Sequence, residues 1–503
     1  MFLLLLTAVV TICAGDYILR ALRLRRAEQL IAVAHSCKTP ARLDTGRWPL
    51  GLELIVTAFR AAGQQRLLEL MSLIVEKTGS TFEQKLLGSR GIDTVAPSNV
   101  EAILSTKFTD FGLGERRLVF APLLGDGIFT QDGHAWAQSR ALLKPAFRHN
   151  DSVMAQIAEA TEELICRIPE GSLVDLQPLF FRFTLDTTSY LLFGHRLGGL
   201  ESDLSEKFAS FSAAFDRAQD CLARRGRLGP LYWLIDGPQF RKDCARVHEH
   251  IDGAIEKALQ KSNSLDQEAT YTILGALIKE TQDPKVLREQ CLNVLLAGRD
   301  TTACLLSWTF RLLARNPTVF DRCRKEVMEI CSEREQLTRQ QLERMKFVDA
   351  VLKEVLRLYP SVPINSRVAN CTTVLPTGGG TDGKAPVLVR KGEAVGYCPY
   401  IMHRREDVFG SDANIFRPDR WLENEGRLFS SAGYGYIPFN AGQRICLGQR
   451  FAMLEASYVV ASILLKFSSL EIPADQPVES IGTEQQKLTL VLCSADGCRV
   501  ILR

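Results

Sequence analysis

One thiol near the C-terminus sits among residues that suit a metal ligand better than a core cysteine. Residues Phe439 to Gly448 read Phe-Asn-Ala-Gly-Gln-Arg-Ile-Cys-Leu-Gly. A thiolate is a strong ligand only when its pKa is lowered or its charge shielded, and Gly442 and Gly448 let backbone N–H groups approach the Cys446 sulfur. Arg444 can carry a counter-charge to an anionic cofactor group. Leu447, Phe451, Leu454 and Tyr458 follow with helical period, so a helix starting at the cysteine would stabilise the thiolate with its positive end. A second chemical insert, Ala297-Gly298-Arg299-Asp300-Thr301-Thr302, crosses a helix expected from about Val286 to Ala314 that is otherwise apolar. Such a helix is buried. A buried acid beside a hydroxyl carries a desolvation cost that stability alone does not justify. Gly298 and Thr301 can loosen or bend the helix there, the threonine hydroxyl competing for a backbone carbonyl.

The decamer matches the haem-binding signature of the cytochrome P-450 superfamily, Phe-x-x-Gly-x-Arg-x-Cys-x-Gly, at every fixed position, and the insert resembles that family's Ala-Gly-x-Asp-Thr motif. The resemblance implies that Cys446 is the axial thiolate of a haem iron, with Phe439 and Arg444 binding the cofactor. Thiolate ligation pushes electron density onto the iron and favours O–O cleavage. Thr301 is then expected to hold the water and oxygen hydrogen bonds, and Asp300 to relay protons. Gly133 opens an amphipathic helix on which Trp136 and Arg140, four apart, share a face. They match the family's Trp-x-x-x-Arg, which makes them partners of the haem carboxylates, and Arg367 is a second propionate candidate by the same resemblance. Glu354 and Arg357, at i and i+3, match its Glu-x-x-Arg. The third partner would be Arg420 in Phe416-Arg-Pro418-Asp419-Arg420-Trp421, where Asp419 replaces the commoner Glu, and the trio is expected to lock the cysteine loop.

The elements that must position these residues are less sharply written. With 503 residues, 46% hydrophobic and 24% charged, the chain can bury a large core, and a net charge of +3 is too small to imply nucleic-acid binding. The fourteen cysteines are scattered singly, without a zinc or disulfide spacing, which fits a reducing, cytosol-facing compartment. At the N-terminus an apolar run from Phe2 reaches Leu19, interrupted by Asp16, before Arg20, Arg23, Arg25 and Arg26. It would span roughly 27 Å as a helix, marginal against a hydrocarbon core of about 30 Å. Arginines that follow the apolar run favour a retained anchor over a signal peptide, with the rest of the chain on the cytoplasmic side. Trp48-Pro49-Leu50-Gly51 reads as a hinge, residues 108–129 as a long loop, and residues 373–395 as a hairpin turning at Gly378-Gly379-Gly380 and Asp382-Gly383.

The expected fold is mainly α with a small β-rich subdomain: the cytochrome P-450 fold, with residues 1–27 as membrane anchor and basic flank and residues 28–503 as the monooxygenase domain. The segment Leu375 to Lys384, Lys391-Gly392 and Tyr400-x-x-His403-Arg404-Arg405, with the two motifs above, resembles the fungal branch that hydroxylates alkanes and fatty acids at or near the chain end. The resemblance implies a haem-thiolate monooxygenase acting with O2 on an unactivated C–H bond of a lipophilic substrate, in the endoplasmic reticulum membrane. The chain lacks a dinucleotide fingerprint and a flavin domain, so electrons are expected from an NADPH-cytochrome reductase docked near Arg148 and Arg450. A tailoring oxidase of polyketides or terpenoids is the alternative within this chemistry. A haem-thiolate isomerase or dehydratase, and a non-enzymatic carrier, leave the acid–alcohol pair unexplained.

Overall fold

The computed structural model describes residues 2–147, 151–200, 206–262, 272–331, 336–423, 431–476 and 478–503. The chain divides into two units: Met1–Thr57, Met71–Gly114 and Ser366–Tyr397 form one, and Ala58–Leu70, Glu115–Asn365 and Cys398–Arg503 the other.

The first unit carries most of the β structure. Its sheet runs, in spatial order, Ala41–Arg42, Thr81–Leu86, Ser89–Thr94, Ala394–Tyr397, Asn365–Ala369 and Phe111–Gly112. Thr81 and Thr94 face each other across the antiparallel pair, their hydroxyls 2.9 Å apart, and the buried Asn99 amide donates to both. The expected hairpin is shorter than its sequence suggested: Thr373–Gly379 pairs with Ala385–Val389, while Ala394–Tyr397 lies parallel to Ser89–Thr94 in the other sheet. Lys391-Gly392 marks that departure, Gly392 turning with φ +84°. At the N-terminus one helix, Phe2–Ala34, runs without interruption past residue 27, and Asp16 pairs with Arg20 on its exposed surface at 2.7 Å. Among the described residues no helix is long and apolar enough to cross a membrane.

The second unit is helical and built around Pro284–Arg315. Asp283 caps this helix, accepting from Lys285 N–H at 2.9 Å, and Pro284 occupies the first turn, where its missing N–H costs nothing. It is buried over most of its length, as its apolar sequence requires. Leu176–Phe193 packs along it, with Phe180 stacked on Phe310 at 5.5 Å. That helix starts at Asp175, which accepts from Gln177 N–H, and ends at Gly194 in the left-handed conformation. Gly298 explains the close approach: a Cβ there would lie 2.5 Å from Thr188 Oγ1. The central helix runs continuously through Gly298 and Thr301, and the glycine there lets the neighbouring helix pack closely. Residues 116–124, expected as loop, form a helix despite Pro122; Asn293 of the central helix donates to the Leu124 carbonyl at 3.0 Å and holds its end.

The remaining elements frame the thiol. Gly133–Leu143 is helical, and Ser139 links it to the central helix by accepting from Gln290 Nε2 at 2.7 Å. Lys346–Leu358 carries the Glu-x-x-Arg pair. Gln449–Lys466 begins three residues after Cys446 and buries Phe451, Tyr458 and Ile463. A hairpin, Gln486–Leu488 with Leu492–Ser494, leans on the central helix: Trp308 Nε1 donates to the Leu492 carbonyl at 3.0 Å and its ring stacks on Tyr359 at 3.8 Å.

Candidate active site

Cys446 lies in a turn between a short 3₁₀ segment, Gly442–Arg444, and the helix Gln449–Lys466. Gly442 has φ +64°, a conformation that an L side chain rarely adopts, so glycine is required there. Gly448 has an ordinary φ of −88° and contributes its N–H instead. Cys446 N–H donates to the Phe439 carbonyl at 3.0 Å, which closes the loop on its first residue. Cys446 is exposed as a residue, although protein surrounds its sulfur closely. Burial raises the thiol's pKa. The Gly448 N–H, the Arg140 charge and the Gln449 N–H pull it down. Those three groups favour an anionic sulfur at the start of a helix.

Two arginines flank Trp136. The Arg444 guanidinium lies 4.4 Å from the ring centroid and that of Arg140 5.9 Å. Their charges are differently placed. Arg444 donates to Asp132 Oδ1 at 2.6 Å and to the Gln131 carbonyl at 3.0 Å, so its charge is already balanced by protein. Arg140 makes no hydrogen bond or ion pair with any described residue, although burial lowers its pKa. A half-buried cation with no anion among the described residues, beside a thiol that backbone N–H groups serve, fits a cofactor that brings both a metal and a carboxylate. Phe439 is half-buried in the loop. Arg367 belongs to the other unit, where it is buried on the strand Asn365–Ala369 and its Nη1 donates to the Ser366 carbonyl at 2.7 Å.

Thr301 and Asp300 behave differently although adjacent. Thr301 Oγ1 donates to the Ala297 carbonyl at 2.7 Å, the competition expected from its sequence, and its own carbonyl accepts from Ser361 Oγ at 2.9 Å. The Asp300 side chain meets Arg299 Nη1 at 3.1 Å and a hydrogen bond from Gln219. Arg299 in turn pairs with the exposed Asp216 at 2.5 Å. Burial pushes the Asp300 carboxyl up to about 6, with Asp216 adding to the rise and Arg299 opposing it. It can therefore gain and lose a proton close to neutral pH. Its partners Gln219 and Asp216 sit on the helix Glu206–Leu228, more than eighty residues away in sequence, and no motif or periodicity links them to it.

Sequence reasoning also missed Glu455. It is fully buried on the helix Gln449–Lys466, accepts from Thr187 Oγ1 at 2.5 Å and takes a second hydrogen bond from Thr302. Burial pushes its carboxyl up to about 8, so it is neutral at physiological pH. A lone carboxylate inside Phe451-Ala-Met-Leu-Glu455-Ala was the available clue.

Glu354 gathers the lock expected from the sequence. Its carboxylate accepts from Arg357 Nε at 2.8 Å and Nη2 at 2.9 Å, and from Arg420 Nε, Trp421 Nε1 and Arg417 N–H, each at 2.9 Å. Asp412 meets Arg420 at 3.1 Å. Asp419, the departure from the commoner Glu, pairs outside this cluster with Arg322 at 2.6 Å. The lock reaches the cysteine loop through His403. Arg357 Nη1 donates to the His403 carbonyl at 2.8 Å, and His403 Nε2 accepts from Ile437 N–H at 2.9 Å, two residues before Phe439. Burial holds the imidazole at about 3, neutral and able to accept. Of the expected docking cations, Arg450 is exposed and Arg148 lies outside the described residues.

Comparisons with known proteins identify the family. The family model described as Cytochrome P-450 matches residues 47–493. A cytochrome P-450 of Arthroderma benhamiae is 48% identical over 97% of this chain and 96% of its own length. Cytochrome P-450 52A5 of Candida maltosa is 43% identical over 84% of this chain and 82% of its own. A protein of a Fusarium species named cytochrome P-450 monooxygenase g430 is 37% identical over 92% and 84% respectively.

Proposed function

The chain belongs to the cytochrome P-450 family, and from that premise we propose that this haem-thiolate monooxygenase hydroxylates long aliphatic chains at or near their end. The observation that carries the monooxygenase site is the Cys446 sulfur. It is served by two backbone N–H groups and faced by the Arg140 charge, which pairs with no anion among the described residues. Haem bound there supplies oxygen activation and one-electron chemistry. Cys446 would ligate its iron. Arg140 and Trp136 would receive its carboxylates, while Arg444, tied to Asp132, braces the loop and the Trp136 ring. The Phe439 carbonyl closes the cysteine loop.

Thr301 keeps its hydroxyl on the Ala297 carbonyl and can turn its lone pairs towards a water. Asp300, whose carboxyl burial raises to about 6, can exchange protons with that water when it leaves Arg299. Electrons come from NADPH through a cytochrome reductase, with Arg450 on the exposed first turn after the cysteine as a docking charge. The arginines that follow the apolar N-terminal run support association of the helix Phe2–Ala34 with the endoplasmic reticulum membrane and a cytoplasmic catalytic domain. The reading of a long-chain substrate rests on the sequence blocks shared with the fungal alkane and fatty-acid hydroxylases.

The test is product analysis after incubation with a fungal reductase, NADPH and labelled O2, using a mixture of fatty acids and alkanes. Label at the chain end is expected. No fatty product from enzyme with an intact thiolate spectrum of its reduced, CO-bound form would overturn the substrate reading and direct the search to polyketides and terpenoids.

A further inference from the structure

Arg227 stands at the last turn of the helix Glu206–Leu228 and is half-buried. Its Nη2 donates to the Leu488 carbonyl, and no described carboxylate pairs with it. Burial lowers its pKa; the acid acting on it most is Asp220, which is already bound to Arg224 at 2.7 Å. A desolvated guanidinium with one carbonyl partner has donors to spare and no counter-charge. The C-terminal end of its helix favours a cation but does not replace an anion.

The surroundings place this charge at the edge of the reacting region. Leu488 pairs with Leu492 across the hairpin, and Leu492 N–H donates to the Ser361 carbonyl at 3.0 Å. Ser361 Oγ donates to the Thr301 carbonyl at 2.9 Å. Arg227 is thus separated from the acid–alcohol turn by one hairpin and one serine. Along its own helix it lies eight residues beyond Gln219, the Asp300 partner, which is about 12 Å at the α-helical rise. Directly after it, the segment Gly229–Ile235 exposes Trp233 and Leu234, an apolar surface by which a lipid chain could enter.

We propose that Arg227 binds the carboxylate of a fatty-acid substrate, so that the chain runs from this anchor towards Thr301 and presents its far end for oxidation. The inference rests on the long-chain reading above and adds that an acid is preferred over an alkane of equal length. The rival role is a strut, in which Arg227 only ties its helix to the hairpin. Gln at this position can still donate to Leu488 but cannot meet a carboxylate with charge.

The experiment measures substrate-induced spectral binding and turnover of the full-length holoenzyme with dodecanoic acid, dodecan-1-ol and dodecane, for the wild type, Arg227→Gln and Arg227→Leu. The expected result is that both variants bind dodecanoic acid about tenfold or more weakly, as loss of a charged hydrogen bond implies. Binding of dodecane and the thermal midpoint should be unchanged in Arg227→Gln, and oxidation of the acid should spread inward from the chain end. Equal weakening towards all three ligands, or an Arg227→Gln enzyme that still prefers the acid, overturns the anchor while leaving the long-chain reading intact. Wild-type enzyme that binds none of the three, with its thiolate spectrum intact, overturns both.

Discussion

Glu354→Gln tests the lock behind the cysteine loop. The carboxylate receives two guanidiniums, an indole N–H and a backbone N–H, and both Glu354 and Arg357 are 0% exposed. Arg420, 3% exposed, would keep Asp412, whereas Arg357 would keep only the carbonyls of His403, Ala413 and Ile415. Removing one partner of a buried pair costs about 3–5 kcal/mol, because the remaining charge is stranded. An exposed pair at the same spacing would contribute about 0–1 kcal/mol. Against a typical domain stability of about 5–15 kcal/mol, the loss is large. The assay is urea unfolding of the holoenzyme followed by circular dichroism, with the thiolate spectrum of the reduced, CO-bound form read at each step. The spectrum should fail first, since His403 carries the disturbance to Ile437 and the loop. Replacing both Glu354 and Arg357 by apolar residues should recover part of the loss. A Glu354→Gln enzyme within about 1 kcal/mol of wild type, with its spectrum intact, would refute the argument.

Four further outcomes are expected. The Glu455 carboxyl sits at about 8 when folded and 4.5 when free, so the native state binds the extra proton; stability is fully retained below the lower value and falls through the window up to about 8. The slope is about 1.4 kcal/mol per pH unit, and Glu455→Gln should flatten it in unfolding curves recorded from pH 5 to 8. Thr301→Ala should leave the thiolate spectrum unchanged while more NADPH is consumed per product formed; unchanged coupling would remove the hydroxyl from the chemistry. Arg140→Leu should speed haem loss to an excess apo-globin acceptor about tenfold or more, and equal loss rates would dismiss Arg140 as a carboxylate partner. Gly298→Val should cost about 1–3 kcal/mol by driving a side chain into Thr188, measured by the same unfolding assay.

What was legible in the sequence was local. Cys446, Gly442, Trp136 with Arg140, and Asp300 with Thr301 are separated by fixed short offsets, so one turn or one helix face fixes their relation. Arg420 was legible because a short motif carries it to Glu354. The partners that decide protonation and charge balance come from far along the chain: Asp132 to Arg444, Gln219 to Asp300, Thr187 to Glu455. No periodicity encodes those distances. Arg444 shows the consequence: its motif marks a cation for the cofactor, while the Asp132 that pairs with it lies 312 residues away. The helix Arg116–Leu124 escaped because Pro122 argues against it; it persists with Arg225 donating to the Leu118 carbonyl, which Pro122 cannot serve, and Asn293 to the Leu124 carbonyl. The over-long hairpin arose because the sequence alternates through a strand that joins a different sheet.

The anchoring of Arg444 bears on how quickly the enzyme can be loaded. Asp132, the Gln131 carbonyl and the Trp136 ring hold this side chain through contacts made wholly within the protein, and Phe439 closes the backbone over Cys446 in the same way. Much of the conformational entropy of the ligand loop is therefore offset by partners within the protein. A thiol held in this way would meet a rigid disc with little further ordering, which favours retention of the group over its exchange between protein molecules.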